Sequence, residues 1–223
     1  MSKYTLGFGF DPKTNDYKVV GIMNFRFRQC KVQVYHLRSN SWRLLDSSPN
    51  PSYFIQSTRF PSYLNGVQYW LARVRDEGNC MGYRFLLISF DMSNEVFKEV
   101  LLLPPPTEGC NFIDQDIAII NDSVTLILKF PHDWKHSFEI WVLNECGVER
   151  NWTKTLTIIR QIPVFRNLLQ LREDGLVVLT TDDKYLVLYN PITQEETCLQ
   201  THGAQSAQLV SYRVPSSPKW IGE

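Results

Sequence analysis

Four segments of this chain repeat one pattern, in which a polar turn joins two short strands. The first segment, Lys31–Leu45, begins with alternating apolar residues that predict a half-buried strand, and a second strand follows the turn at residues 38–41. The pattern returns at Phe85–Leu103, Phe138–Leu156 and Lys184–Leu199. The central residues lie roughly 50 residues apart, as in kelch-type propeller blades, at Tyr35, Phe90, Val142 and Tyr189. The repeat therefore predicts an all-β fold of the kelch-like β-propeller class.

Further strands precede each repeat, so we expect about four blades of four strands each. These strands are predicted at Leu6–Phe10, Tyr17–Ile22, Val67–Ala72, Asp116–Ile120, Ser123–Phe130, Leu168–Leu171 and Leu176–Thr181. The connector Asp46–Tyr63 contains three prolines, which exclude a regular central strand. A loop is expected at Pro131–Lys135. A leftover strand at Ala207–Val214 is available to pair with the first blade.

We predict one propeller-like domain over residues 1–214 and a flexible tail over residues 215–223. Four blades close a small ring, but the pattern is equally consistent with part of a larger ring. A β-sandwich is the structural alternative, although the repeat period favours the propeller.

The composition excludes several classes of partner. With 43% hydrophobic and 13% aromatic residues, the 223-residue chain has enough apolar surface for a sizeable core. Lysine plus arginine number 23, as do aspartate plus glutamate, so the formal net charge is zero. A balanced charge gives no support for nucleic-acid or anionic-membrane binding. We expect neither nucleic acid nor a membrane as a partner.

The cysteines and the first residues predict a cytoplasmic or nuclear location. There are five cysteines, widely spaced and without a C-x-x-C motif, which favours reduced thiols over a zinc site or a secreted disulfide framework. Residues 1–10 lack the basic start and the long apolar core of a secretory signal. No apolar run approaches the roughly 20 residues that a membrane helix needs.

The sequence lacks the residue spacings that catalytic and metal sites require. His132 and His136 are four residues apart, but they lie in or next to a predicted loop without a third ligand. No G-x-S-x-G nucleophile elbow occurs. The acidic pairs at residues 173–174 and 182–183 are adjacent at turns, unlike the separated carboxylates of a glycosidase. We expect no catalytic residue, no metal and no cofactor.

Two features predict how the blades pack. Glycines alternate with large residues in Leu6–Phe10, which makes room there for a ring or a backbone from a neighbouring strand. Trp42 and Trp152 each follow the hairpin turn of their repeat, and this shared position predicts that both wedge between blades. The dipeptides Asn65-Gly66 and Asn121-Asp122 predict tight turns, the first with positive φ.

The segment Leu6–Val20, LGFGFDPKTNDYKVV, resembles the signature of the plant F-box-associated domain, a G-[FL]-G-[FY]-D-x-x-T-N-D-Y-K-V-V string. Two shorter matches support this resemblance. Asn65–Trp70 resembles the family's N-G-x-x-Y-W hairpin, and Tyr189–Thr193 resembles its Y-N-P-x-T turn. The resemblance covers essentially the whole chain and extends to F-box/kelch-repeat and S-locus-type F-box proteins of flowering plants.

The resemblance implies a substrate-recognition role in a Skp–cullin–F-box ubiquitin ligase, with a protein substrate of the ligase as the partner. Whole members of the family begin with a helical F-box, and this chain shows no such segment. It therefore resembles the substrate-reading half of a member. A Skp-type adaptor is an expected partner only if an F-box lies upstream.

Contacts to a protein partner are expected on the loops, because the strands are held by hydrogen bonds and the loops are free to vary. Aromatic and arginine residues on loops resemble the hot spots of protein interfaces. The residues predicted to bind the partner are Tyr53, Phe54, Arg59, Phe60, Arg73, Arg75, Phe112, Asp114, His132, Trp134, Phe165 and Arg166.

Two other functions remain open at this point. A carbohydrate-binding or scaffolding propeller without a ubiquitin role is consistent with the loop aromatics. A propeller enzyme, for example a glycosidase or an epimerase, requires acidic side chains that point inward from several blades. The acidic residues here lie mostly at predicted turns, which disfavours the enzyme.

Overall fold

The described part of the chain folds into four antiparallel β-sheets. In this computed structural model the described residues are 3–24, 30–46, 48–60, 62–78, 82–102, 114–132, 135–146, 149–159, 165–172, 174–181 and 185–199. These ranges contain no helix, and hence no helix with the length and apolarity to cross a membrane. The prediction of an all-β fold is confirmed. Two compact units are present, residues 1–161 with the first three sheets and residues 162–223 with the fourth.

Sheets 1 and 2 contain nine strands. Sheet 1 has the order β1-β2-β3-β4, and sheet 2 has the order β5-β7-β8-β9 with β6 also paired to β7. The bounds are β1 Lys3–Asp11, β2 Asp16–Asn24, β3 Lys31–His36, β4 Ser41–Leu45, β5 Phe54–Ile55, β6 Tyr63–Leu64, β7 Val67–Arg75, β8 Tyr83–Asp91 and β9 Val96–Leu102.

Sheets 3 and 4 each contain four strands in sequence order, β10 to β13 and β14 to β17. Their bounds are β10 Asp114–Ile120, β11 Ser123–His132, β12 Lys135–Cys146, β13 Glu149–Ile159, β14 Phe165–Leu171, β15 Val177–Thr181, β16 Leu186–Tyr189 and β17 Glu196–Leu199. Sheet 4 has its own buried residues, among them Leu168, Val177, Leu179 and Tyr189.

The predicted strands agree with this topology except at two places. The proline-rich connector supplies two short strands, β5 and β6, which share one side of β7, so the first-strand position of sheet 2 is divided. The loop predicted at Pro131–Lys135 is shorter than expected, because β11 and β12 pair as far as residues 132 and 135. The strand predicted at Ala207–Val214 and the tail at residues 215–223 lie outside the described residues. The single domain over residues 1–214 stays a prediction.

One turn recurs in three sheets. A carboxylate or amide oxygen at its first residue accepts hydrogen bonds from backbone N–H groups two and three residues later. The first residues are Asp11, Asp91 and Asn190. The fifth residue has positive φ each time, at Asn15, Glu95 and Gln194. The predicted tight turns at residues 65–66 and 121–122 also have positive φ and are confirmed.

Sheets 1 and 2 pack face to face through the alternating glycines of β1. A Cβ atom added to Gly7 would lie 2.4 Å from the ring of Trp70, and one added to Gly9 would lie 2.5 Å from the ring of Tyr63. Both rings also donate hydrogen bonds to β1, Trp70 to the carbonyl of Leu6 and Tyr63 to that of Phe10. The prediction that these glycines make room for rings is confirmed. The motif at residues 6–20 thus packs, through Gly7, against Trp70 of the motif at residues 65–70.

Sheet 2 also packs on sheet 3, through its opposite face. Tyr69, Leu71 and Leu87 of sheet 2 form one buried cluster with Ile117, Leu126 and other apolar residues of sheet 3. Trp152 lies in the fourth strand of sheet 3 and packs against this cluster, as predicted. The same prediction is wrong for Trp42, which is 55% exposed on the fourth strand of sheet 1. Its ring lies against Tyr35 of its own sheet.

Candidate interaction surface

One end of sheet 2, where β7 runs into β8, carries several of the predicted contact residues. Arg73 in β7 pairs with Phe54 in β5. Its guanidinium carbon lies 4.7 Å from the centre of the Phe54 ring and 4.9 Å from that of Tyr83 in β8. Phe54 and Arg73 are half-buried and Tyr83 is 40% exposed, so the group faces solvent on one side. We call these three residues the aromatic–arginine cluster.

Tyr53 lies next to this cluster and is tied to β9. Its hydroxyl donates a hydrogen bond to a carboxylate oxygen of Glu99. Burial and the bond to the negative Glu99 raise the pKa of Tyr53 to about 12, so the hydroxyl stays protonated and the bond persists across the physiological range. Arg84 and Asp76, whose charged groups lie 3.8 Å apart, extend the polar border of the same end.

Arg59 forms a second group, separate from the first, that joins the connector of sheet 2 to the first strand of sheet 3. Its side chain lies 2.6 Å from buried Asp116 and 2.9 Å from half-exposed Asp114. Burial lowers the pKa of Arg59, but the hydrogen bond and the charge of Asp116, with that of Asp114, outweigh this and raise it. Arg59 and Asp114, both predicted to bind a partner, therefore contact each other in an ion network that links two sheets.

The other predicted residues are spread more widely. Phe60 is half-buried and Arg75 is exposed at the end of β7. The structure describes the backbone of His132, in β11, and of Phe165 and Arg166, in β14. Phe112 and Trp134 lie outside the described residues.

A buried charged group that was not predicted from the sequence lies at the opposite end of sheet 2. Lys18 of β2 has a side chain that is 3% exposed, and its ammonium group lies 2.7 Å from Asp11 and 2.8 Å from Glu95. It also donates a hydrogen bond to the carbonyl of Met92, at 2.7 Å. Asp11 belongs to sheet 1, whereas Glu95 and Met92 belong to the β8–β9 turn of sheet 2. We call Asp11, Lys18, Glu95, His36 and Arg43 the Lys18 cluster.

The hydrogen bonds around Asp11 keep it ionised. Burial raises the pKa of its carboxyl group, but hydrogen bonds from Lys18, Ser93, Thr14 and the Lys13 backbone outweigh burial and hold the pKa well below its usual range. The negative Asp11 and Glu95 therefore compensate the buried positive charge of Lys18. Arg43 adds a further ion pair with Glu95.

His36 closes the cluster beside an open cleft of about 460 Å³. Its Nε2 lies 3.3 Å from Glu95, without hydrogen-bond geometry, and its Nδ1 lies 3.9 Å from Asp16. Burial, together with the positive charges of Lys18 and Arg43, lowers the pKa of His36. Among the residues that the structure describes, no three potential ligands are arranged to hold a metal.

A signal for this cluster was present in the sequence. Asp11 and Lys18 are both part of the D-x-x-T-N-D-Y-K string that carries the family resemblance. The motif therefore builds the joint between sheets 1 and 2: its aspartate closes a turn and its lysine reaches the next sheet. What the string did not reveal was its partner Glu95, which is 77 residues from Lys18.

Comparison with protein families finds a match to the F-box associated beta propeller domain over residues 1–172. An F-box/kelch-repeat protein of Arabidopsis thaliana is 30% identical over 190 residues, which cover 83% of this chain and 48% of that protein. An F-box/LRR-repeat/kelch-repeat protein of the same plant is 24% identical over 96% of this chain and 58% of its own length. The Arabidopsis F-box protein CPR1 is 23% identical over 92% of this chain and 54% of its own length.

The chain thus spans about half the length of these relatives. Among solved structures, TolB from Acinetobacter baumannii aligns with 88% of this chain and 43% of its own, at a TM-score of 0.39 and 10% identity. That likeness is too low to support a conclusion.

Proposed function

Because the chain belongs to the F-box associated beta propeller domain family, we propose that it is the substrate-recognition part of an F-box protein. In this role it binds a client protein that a Skp–cullin–F-box ubiquitin ligase modifies, and it carries out no reaction itself. The observation that carries the proposal is the family match over residues 1–172, together with relatives that are named F-box proteins. The location proposed for this role is the cytoplasm or the nucleus.

The aromatic–arginine cluster is the part of the described surface that best fits client binding. Interface hot spots are rich in tyrosine, tryptophan and arginine that are partly pre-packed before binding. Phe54 and Tyr83 hold the guanidinium of Arg73 between their rings, which lowers the entropy lost when a partner docks. The Tyr53–Glu99 bond holds the adjacent ring in place in the same way.

The Arg59 group supports the proposal less directly. Arg59 is bound to two carboxylates of sheet 3, one of them buried. Its removal would leave Asp116 without its main positive partner, so a binding defect in such a variant would report damage to the fold. Arg73 is the better residue for a test of client contacts.

Client binding is tested by affinity capture from plant tissue followed by mass spectrometry. Arg73→Ala is compared with Arg172→Ala, which removes an exposed arginine that is paired with Asp174 in the second unit. We expect Arg73→Ala to lose clients that the wild-type chain and Arg172→Ala retain. Equal client sets for all three proteins would contradict the surface assignment. Phe60→Ala and Trp134→Ala belong in the same assay, because both positions were predicted from the sequence.

A second experiment tests whether this chain, without an F-box, binds a Skp-type adaptor. We expect residues 1–223, expressed alone, to show no heat of binding to a Skp-type adaptor in calorimetry, while a chain joined to an F-box binds it. Measurable binding by the isolated chain would overturn this part of the proposal. A membership among S-locus-type F-box proteins stays a prediction from the resemblance.

A carbohydrate-binding role is the alternative that the same cluster favours, because aromatic rings such as Phe54 and Tyr83 also stack on sugars. A glycan array distinguishes the two. Binding of a defined glycan that is lost in Tyr83→Ala would support the carbohydrate-binding role. If no glycan on the array binds, that role is contradicted.

A further inference from the structure

Two arginines at the end of β7 differ from the other arginines of this structure. Arg73 and Arg75 are two residues apart on one strand, so their side chains lie on the same face. Among the residues that the structure describes, none accepts a hydrogen bond from either guanidinium or forms an ion pair with it. The other arginines with described side chains all contact a carboxylate or a carbonyl oxygen; they are Arg38, Arg43, Arg59, Arg84 and Arg172.

The guanidinium of Arg73 is held by rings alone. Its central carbon lies 4.7 Å from the centre of the Phe54 ring and 4.9 Å from that of Tyr83. The rings attract its positive charge, but they do not replace the oxygen atoms that normally accept from the N–H groups of an arginine. Arg73 is half-buried, so part of the water that would serve these N–H groups is excluded. An anion that accepts from them would supply the missing bonds.

The carboxylates at this end of sheet 2 are used elsewhere. Glu99 accepts a hydrogen bond from the hydroxyl of Tyr53. Asp76 pairs with Arg84 at 3.8 Å. Glu77 is exposed in the turn beyond the end of β7. Formal charges at this end therefore balance, yet the positive charges of the two β7 arginines are left for a ligand.

The spacing of the two arginines indicates what kind of anion fits. Alternate residues of a strand lie about 6.6 Å apart, which is also the distance between alternate side chains of an extended peptide. The planar fork of an arginine matches the two oxygens of a carboxylate. Two positive charges at this spacing suit two carboxylates better than one phosphate, whose double charge is best bound by guanidiniums that converge on it.

We propose that the aromatic–arginine cluster and Arg75 bind an acidic segment of the client protein, in which two aspartate or glutamate side chains are separated by one residue. One carboxylate binds the guanidinium of Arg73 and the other that of Arg75, while Phe54 and Tyr83 keep the first guanidinium in place. This inference rests on the proposed function, since it names the kind of client that the same surface takes. All four residues belong to sheet 2, so the site is complete within one sheet.

The test is the selection of random peptides by phage display on the 223-residue chain. A variant that combines Arg73→Gln and Arg75→Gln is the counter-target. We expect the wild-type chain to enrich peptides with two acidic residues one position apart, and the double variant to lose this enrichment. Circular dichroism establishes that the variants are folded, and Arg75→Gln alone keeps the test valid because Arg75 is exposed.

Fluorescence anisotropy then measures the affinity of a selected peptide. Glutamine in place of either acidic residue of the peptide, or Arg73→Gln or Arg75→Gln in the chain, should weaken binding at least about tenfold. Arg73→Lys keeps the charge but loses the fork, and should also weaken binding. Arg172→Gln is the control, because it removes one exposed positive charge from the second unit, and it should leave the affinity unchanged.

The proposal is wrong if acidic residues are not enriched, or if they are enriched equally on the double variant. It is also wrong if Arg172→Gln weakens binding as much as Arg73→Gln, which would indicate general charge attraction. Tighter binding of a phosphoserine peptide than of its glutamate counterpart would assign the site to phosphate instead. If Arg73→Ala loses clients from plant tissue but no acidic peptide is selected, client binding stands and the acidic segment is wrong, so the two proposals fail separately.

Discussion

The two ends of sheet 2 use charged side chains in opposite ways. At the end near the β8–β9 turn, Lys18 is buried, and its ammonium group is bound by Asp11, Glu95 and a carbonyl. At the end near the β7–β8 connection, Arg73 is half-buried between two rings. The first arrangement joins two sheets, because a buried charge is stable only with its partners in place. The second leaves a cationic, aromatic group that faces solvent on one side.

This difference changes what the family signature means. The signature string supplies Asp11 and Lys18 of the Lys18 cluster and the glycines that receive Trp70 and Tyr63. All of these residues contribute to the joint between sheets 1 and 2. The motif therefore reports the fold, and we expect client choice in the proposed function to depend on residues elsewhere.

The largest effect is expected at the Lys18 cluster. Lys18→Met removes the positive charge and leaves Asp11 and Glu95 buried without it, so we expect a loss of about 3–5 kcal/mol in the free energy of unfolding. Urea denaturation followed by fluorescence measures the change. Lys13→Met is the control, since Lys13 is exposed in the β1–β2 turn that begins at Asp11. It should change stability by less than about 0.5 kcal/mol. Equal effects of the two substitutions would show that the Lys18 cluster does not hold the sheets together.

A smaller effect is expected at the glycines of β1. Gly7→Ala forces a methyl group to within 2.4 Å of Trp70, and such overpacking costs about 1–3 kcal/mol. Gly21→Ala is the matched control, because its nearest neighbours would lie 3.8 Å away, and it should be neutral or stabilising by up to about 1 kcal/mol. If Gly7→Ala is tolerated as well as Gly21→Ala in the same denaturation assay, the close packing of Trp70 on Gly7 does not stabilise the joint between sheets 1 and 2.

The stability of the Lys18 cluster is expected to depend on pH through His36. Burial and the charges of Lys18 and Arg43 lower the pKa of His36 in the folded chain, so below the unfolded pKa of about 6.5 the unfolded chain binds more protons. Stability from this group is present above pH about 6.5 and is lost as the pH falls through the folded pKa, at no more than about 1.4 kcal/mol per pH unit. His36→Gln should make the urea midpoint of unfolding depend less steeply on pH between pH 5 and 7. An unchanged slope would show that His36 does not contribute to the pH dependence of stability.

The smallest effect on stability is expected at the aromatic–arginine cluster. Arg73→Ala removes two cation–π contacts at a solvent-facing site, which together stabilise the fold by about 1 kcal/mol. The same change should weaken client binding by about 2 kcal/mol, as for a hot-spot residue. Denaturation and calorimetry with a captured client measure the two quantities. A destabilisation as large as that of Lys18→Met would mean that both ends are structural.

Most of the fold was predictable from the chain. The repeat spacing and the alternation of apolar residues located the strands, because side chains on a strand alternate between its two faces. Turn chemistry located the reversals, as at Asn65-Gly66, since few residues adopt positive φ. Phe54 and Arg73 were each predicted to bind a partner, and that stays a prediction. The structure brings them together with Tyr83, which was not predicted because nothing in its local sequence marks it.

The all-β class, the repeat of four sheets, the turns and the family all follow from the amino-acid sequence. Which charges are buried and which faces are exposed depends on how the sheets pack in three dimensions. Lys18 and Glu95 are distant in the chain, and Trp42 has a repeat position like that of Trp152 but a different exposure. Local patterns record which face of a strand a side chain occupies. They do not record whether another sheet covers that face, because cover depends on contacts between residues far apart in the chain.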